Sequence, residues 1–297
     1  MRQSTSWIAG IAAALLATGP GSAQDGLYAE TALGSGLAPH MLLNSTDNDW
    51  GTRCDKLINP AGLETGTECD TPPPPTAWSN ESRGTLGVMA GLAVGYRRGP
   101  LRVEAEYHFR SAAYHDYSLT VIGDIVTLGK ADQELEIAIG GVGDVRAHNL
   151  FANVLYDFLR GSRIVPYIGA GVGGGYMFLD YFSLWKRNGD PSRIATFEDP
   201  LLRAKLAGTT TLGAAVLEDG VLGVQGIAGL DCGVGDHLTV GLKVRRTAFK
   251  AFKSGEREWD QLRSHDSTVG RGSRIVYVVE TPDTGAYGVT LNMRYRF

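Results

Sequence analysis

The sequence predicts an all-β fold: an eight-stranded antiparallel, up-and-down barrel that crosses a membrane with its strands. Three observations carry this. Eight segments alternate apolar residues with polar or small ones at a period of two, so each strand has one greasy and one polar face. The connections between them run long, short, long, short, long, short, long. Finally, an export signal is followed by no apolar run long enough for a spanning helix, whereas strands closed into a cylinder satisfy every backbone group without one.

The elements follow in order. Arg2 precedes the apolar run 7–17, and Gly21-Ser22-Ala23 places small residues where a signal peptidase cuts. Residues 1–23 therefore read as a cleaved signal peptide, with 24–297 as one barrel. The apolar run falls short of the ~20 residues that span a bilayer. The first strand, 25–33, turns Leu27, Ala29, Thr31 and Leu33 one way and Tyr28 and Glu30 the other. A long polar connection, 34–83, holds Cys54, Cys69, Trp50, Trp78 and four prolines at 72–75. A proline run cannot join a ladder, so the stretch reads as an exposed loop.

The second strand, 85–96, alternates Leu86, Val88, Ala90, Leu92, Val94 and Tyr96 with Gly87, Met89, Gly91, Ala93 and Gly95. The tight turn Arg97-Arg98-Gly99-Pro100 leads to the third, 101–110, which is the clearest. There Leu101, Val103, Ala105, Tyr107 and Phe109 oppose Arg102, Glu104, Glu106, His108 and Arg110. The connection 111–146 contains an alternation at 134–139 suited to a strand extending beyond the membrane. The fourth strand, 147–158, and the Gly-rich fifth, 166–178, flank a short turn. A third long connection, 181–220, precedes the sixth strand, 221–234, and a tight turn leads to the seventh, 238–247. A fourth, 249–282, precedes the closing strand, 286–297, whose Tyr287, Val289, Leu291, Met293, Tyr295 and Phe297 share one face. A hidden hairpin at 209–216 would give ten strands instead.

The aromatics sort by depth. Tyr96, Tyr156, Phe158, Tyr295 and Phe297 fall at the end with short turns, and Phe109, Tyr176, Phe178 and Tyr287 near the other. Two such belts are expected of a spanning barrel. A soluble all-β domain, the alternative for the closing strand, gives no reason for them.

If lipid takes the apolar face, the polar set fills the lumen: Glu30, Arg102, Glu104, Glu106, His108, Asn153, Asp157, Gln225, Asp231, Lys243, Arg245, Asn292, Arg294 and Arg296. An eight-stranded interior is only wide enough for side chains. Buried ions persist only when paired. Acids and bases in similar number therefore predict an interlocked plug, with a narrow ion pore as the alternative. Inward glycines of the second and fifth strands would leave room for the long charged chains.

Other chemistries have weak support. The net charge is −4 with no basic block, so nucleic-acid binding has no electrostatic footprint. Gly169-Ala-Gly-Val-Gly-Gly174 fits a dinucleotide fingerprint on paper, but alternation continues through Tyr176 where a helix would have to start. Ser264-His265-Asp266-Ser267 offers hydrolase residue types without triad geometry. Asp47-Asn48-Asp49 lacks the rest of a calcium loop. No catalytic residue, cofactor or metal site is assigned. Export to an oxidising compartment predicts a Cys54–Cys69 disulfide, worth about 3 kcal/mol in the chain-entropy model. Cys232, in an apolar strand pattern, reads as a small hydrophobe.

Pro166-Tyr-Ile-Gly-Ala-Gly-Val-Gly173 resembles the fifth strand of small outer-membrane barrels of the OmpA-like, opacity-protein and Msp4-type surface-antigen class. Gln225-Gly-Ile-Ala-Gly229 and Asp236-His-Leu-Thr-Val-Gly-Leu-Lys-Val-Arg-Arg246 are similar to the sixth and seventh strands of that class. Val244-Arg245-Arg246 departs from its usual Tyr-Arg-Tyr-like ending. The resemblance implies a bacterial outer-membrane location, contact with outer-membrane lipid and lipopolysaccharide, and a C-terminal assembly signal at Tyr295 and Phe297 read by the barrel-assembly machinery. It also implies a structural or surface role, porin-like in architecture, with loops that recognise an extracellular ligand or host surface. A lipid-modifying enzyme would need Ser and His together on the lipid face, and the predicted strands place no such pair there.

Overall fold

The computed structural model describes residues 25–48, 76–114, 117–122, 134–159, 161–194, 197–262, 268–269, 273–282 and 284–297. The segment expected to be a signal peptide, Trp50, the predicted Cys54–Cys69 disulfide and the motif at 264–267 lie outside them.

The chain runs β1 (Gly26–Leu37), β2 (Met41–Asp47), β3 (Thr76–Ser82), β4 (Leu86–Arg98), β5 (Leu101–Ala113), β6 (Ser118–Leu119), β7 (Val121–Ile122), β8 (Leu135–Asp157), β9 (Ile164–Arg187) and β10 (Thr210–Gly233). It continues with β11 (Leu238–Phe249), β12 (Phe252–Lys253), β13 (Arg257–Glu258), β14 (Thr268–Val269), β15 (Ser273–Arg274), β16 (Val276–Thr281) and β17 (Ala286–Arg296). A short helix, α1 (Pro200–Leu206), lies between β9 and β10. Asp199 caps it by accepting from Leu201 N at 2.9 Å, and Pro sits in its first turn, where no N–H is missed.

Strands β5, β4, β1, β17, β11, β10, β9 and β8 pair in that order, and β5 pairs β8 to close the ring. The fold is a closed, eight-stranded antiparallel barrel. Closure brings the two ends of the chain together, with Tyr28 opposite Arg296 and Leu37 opposite Tyr287. Each short turn lies at the same end of the cylinder as these termini. At one of them Gly99 adopts a φ of 61° that suits glycine.

Every barrel strand shows its apolar face outward: Leu33, Leu92, Val103, Leu150, Val172, Leu222, Leu242 and Leu291 are exposed, one from each strand. The opposite faces fill the interior, so these side chains have no core to enter, and the reading as a soluble domain fails. At the turn end Tyr156 packs edge-on against Phe158, and Tyr295 against Phe297. At the other end Tyr176 meets Phe178, and Arg246 lies over the Tyr287 ring. These are the two interfacial belts of a spanning barrel.

The long connections differ from the loops expected at 34–83, 111–146, 181–220 and 249–282. β8, β9 and β10 run on well beyond the outer aromatic belt. Segment 209–216, the candidate for an extra hairpin, is the outer part of β10 paired along β9, so the strand count stays at eight. Above the barrel, β12, β16, β2, β3 and β7 form a second sheet, with β13 also pairing β16. The two sheets enclose an apolar core. Leu43, Trp78, Tyr277 and Val279 come from the added sheet, and Val142, Leu179, Trp185 and Leu217 from the extended strands. Trp78 packs edge-on to Trp185 at 5.6 Å and stacks with Trp259 at 5.7 Å. The polarity of 34–83 as a whole conceals this, since among its described residues only Ala38, Met41, Leu43 and Trp78 join that apolar core. The assembled connections form a folded cap.

Candidate functional site

Two features could carry function: the filled lumen and the cap. In the lumen, the turn-side layer starts where Arg97 pairs with Asp157. Arg102 Nη2 forms an ion pair with Asp157 Oδ1 at 2.7 Å, and its Nη1 donates to Asp231 Oδ2 at 3.1 Å. Arg294 reaches the same Asp231 oxygen at 2.9 Å and, through Nε and Nη2, Glu30 Oε2 at 3.0 and 2.9 Å. Lys243 Nζ then lies 2.6 Å from Glu30 Oε1 and 3.4 Å from both Glu104 Oε1 and Glu106 Oε1. Arg245 Nη2 holds Glu106 Oε1 at 2.8 Å, and its Nη1 is 3.2 Å from His108 Nδ1.

Neutral groups fill the gaps in this chain of charges. Asn153 donates to Glu104 and Glu106 at 3.0 Å each. Gln225 donates to Glu106 at 3.1 Å and to Asn153 Oδ1 at 2.7 Å, and Tyr28 donates to Glu104 at 3.0 Å. Five carboxylates (Glu30, Glu104, Glu106, Asp157, Asp231) meet five cations (Arg97, Arg102, Lys243, Arg245, Arg294). That balance keeps the desolvation cost of each ion offset by a partner. Asn292 is buried in the same interior and accepts from Thr290. Arg296 is half-buried at the turn-side rim, where Nη2 donates to the Asp236 carbonyl. Arg296 keeps its register with Tyr28 but lies at the open rim, so alternation alone overstates its depth.

No family model and no curated protein matches the sequence. Solved structures similar to it include Neisserial surface protein A, at 10% identity and a TM-score of 0.40 over 91% of this chain and 97% of that one. The outer membrane protein OprG from Pseudomonas aeruginosa aligns at 11% identity and a TM-score of 0.44 over 94% and 100%. The outer membrane protease OmpT from Escherichia coli aligns at 9% identity and 0.34 over 94% and 100%. None of these likenesses goes beyond the fold.

Sequence reasoning missed part of the lumen. Arg97, assigned to a turn, continues the inward register of Met89, Ala93 and Gly95, and that register was the available signal. Phe151, Leu155, Tyr167 and Ile227 also point inward and give the interior an apolar side. Arg102 stacks on Tyr167 at 4.3 Å, which holds the guanidinium flat against that side. On the lipid face the structure places one histidine the sequence did not flag. His148 Nδ1 is 2.8 Å from Tyr107 Oη, and its ring lies among Tyr107, Phe109 and Phe178. Its polar partner is a phenol within the outer belt.

The inward glycines of β9 make room for neutral neighbours on β8 rather than for the charged chains. Gly169, Gly171, Gly173 and Gly175 lie opposite Leu155, Asn153, Phe151 and Asn149. A Cβ at Gly171 would sit 1.9 Å from Asn153 Oδ1, and one at Gly173 would sit 2.1 Å from the Leu150 carbonyl oxygen. The β8 side chains therefore fold flat over bare backbone, and this aims Asn153 at its two carboxylates. Gly173→Ala is expected to cost about 1–3 kcal/mol through overpacking. Gly226, also in a barrel strand, has nothing within 4 Å of an added Cβ, so Gly226→Ala should cost nothing measurable. Urea midpoints of the two variants in lipid vesicles check the contrast.

Proposed function

We propose that this chain is an integral protein of a bacterial outer membrane, in which a plugged barrel anchors a folded cap and the cap serves recognition at the surface. One observation carries the reading. The long connections bury a shared aromatic core clear of the lipid belt, while the lumen beneath is occupied by paired side chains. A cap with its own core presents a fixed surface, as recognition requires. Cavities near the turn-side mouth amount to about 30 and 20 Å³, a water or two each, which supports a plug over a pore. We read the protein as a binding protein rather than an enzyme. Tyr295 and Phe297 lie exposed on the closing strand, where assembly machinery and lipid would meet them.

The test has two parts. A cysteine placed at exposed Ser192, in the tip between β9 and α1, should react with a membrane-impermeant maleimide on intact cells. Protection of that residue until the outer membrane is breached would reverse the proposed orientation. Purified protein in a planar bilayer should give no stable conductance steps. Large, persistent steps would replace the plug by a pore.

A further inference from the structure

A recess of about 610 Å³ opens on the outer flank of the extended strands, away from the lumen. That is within the size range of small-ligand sites. It lies at a bulge where β8 carries an extra residue: its register against β9 slips between Val142 and Val145, leaving Gly143 and Asp144 unpaired with β9 while Asp144 still pairs Ala113 of β5. Tyr117 and Phe182 form one wall, their ring centroids 5.1 Å apart, and Tyr117 is half exposed. Ala214 and Ala215 line it with small side chains. Asp144 and Asp180 supply carboxylates to the lining, and Arg146 Nη2 sits 3.2 Å from Asp180 Oδ1 with both side chains substantially exposed.

The position narrows the ligand. Arg146 pairs Phe178 across the ladder, and Asp180 follows Phe178 by two residues. The recess thus begins one step above the outer aromatic belt, at the level of lipid headgroups. Its lining supplies carboxylate acceptors and the Tyr117 phenol, which both donates and accepts, and the Arg146 guanidinium stands beside Asp180 as a donor. Hydroxyl-bearing ligands need this mixture, and an aromatic wall suits the apolar face of a sugar ring. Two carboxylates against one guanidinium disfavour a phosphate.

We propose that the recess binds a short uncharged run of hexoses, the sugar portion of a glycolipid in the same outer leaflet. This rests on the reading of the cap as outward-facing, but the site itself is testable in solution without reference to orientation. The probe is a neutral linear hexose oligosaccharide, maltotetraose, titrated calorimetrically into the purified full chain in a detergent without a sugar headgroup. Saturable one-to-one binding is expected. Ala214→Trp, which fills the recess from an exposed position, should abolish it. Asp180→Asn, which breaks only an exposed ion pair of little stability value, should weaken it about tenfold or more. Tyr117→Ala should weaken it likewise and serves as a second variant if the tryptophan disturbs folding, which unchanged heat-modifiable migration would rule out. Spermine, titrated in parallel, should give no saturable heat. Absence of saturable oligosaccharide binding, binding indifferent to these substitutions, or binding of spermine in its place would overturn the proposal. Such a result would leave the surface-labelling test of orientation untouched.

Discussion

Lys243→Met is expected to lower barrel stability by about 3–5 kcal/mol, the cost of breaking a buried ion pair and leaving its partner uncompensated. Lys243 is fully buried and faces Glu30, Glu104 and Glu106 within 3.4 Å. Methionine is close to lysine in length, so packing changes little and the loss reports charge. Arg294 and Arg245 still hold Glu30 and Glu106 in the variant, but Glu104 keeps only Tyr28 and Asn153. Adding Glu104→Gln should therefore recover a large part of the loss, because five cations less one then face five carboxylates less one. A double-mutant cycle of urea unfolding in vesicles measures this coupling. Acid should help the single variant as well. A proton taken up by the folded state replaces the missing cation, so the stability gap to wild type should narrow as pH falls. A gap that stayed constant from neutral to acid pH, with no recovery in the double variant, would assign the effect to packing instead.

The barrel was legible because its solvent is unusual. Lipid outside and a crowded lumen inside impose a strict period of two on each strand, and in 101–110 that pattern alone sorts Arg102, Glu104, Glu106 and His108 from Leu101, Val103 and Tyr107. The ionic part of the lumen followed from it by elimination. Alternation says which face a residue takes but not what lies across the ring. The sharing of Asp231 between Arg102 and Arg294, from β5 and β17, depends on closure, which no local pattern encodes. The apolar side of the lumen was hidden for a related reason. Phe151 and Leu155 sit among outward residues that are also apolar, so β8 reads as greasy on both faces. The cap was least legible. Its core gathers Trp78, Trp185, Trp259 and Tyr277 from separate connections, and which of these rings meet is set by tertiary packing that no local pattern encodes.

Tyr277→Ala should cost about 3–5 kcal/mol, as expected for a large buried aromatic, and the loss should fall on the cap alone. Tyr277 is fully buried, 4.7 Å from the Trp259 ring and 5.7 Å from the Tyr181 ring, at the centre of the upper core. Burial pushes its phenol well above the ordinary value, so it stays neutral at any working pH. The Oη is buried with no hydrogen-bond partner among the described residues. Tyr277→Phe should therefore be neutral or slightly stabilising, since it removes an unsatisfied hydroxyl and keeps the ring. Hydrogen exchange separates the two levels of structure. In the alanine variant, amides of β2, β3 and β16 should lose protection while those of β4, β5 and β17 retain it, because the barrel ladder is closed without the cap. Loss of protection in both sets would make cap and barrel one cooperative unit, and the cap would then be part of the anchor, with any ligand on its flank able to bias the barrel itself.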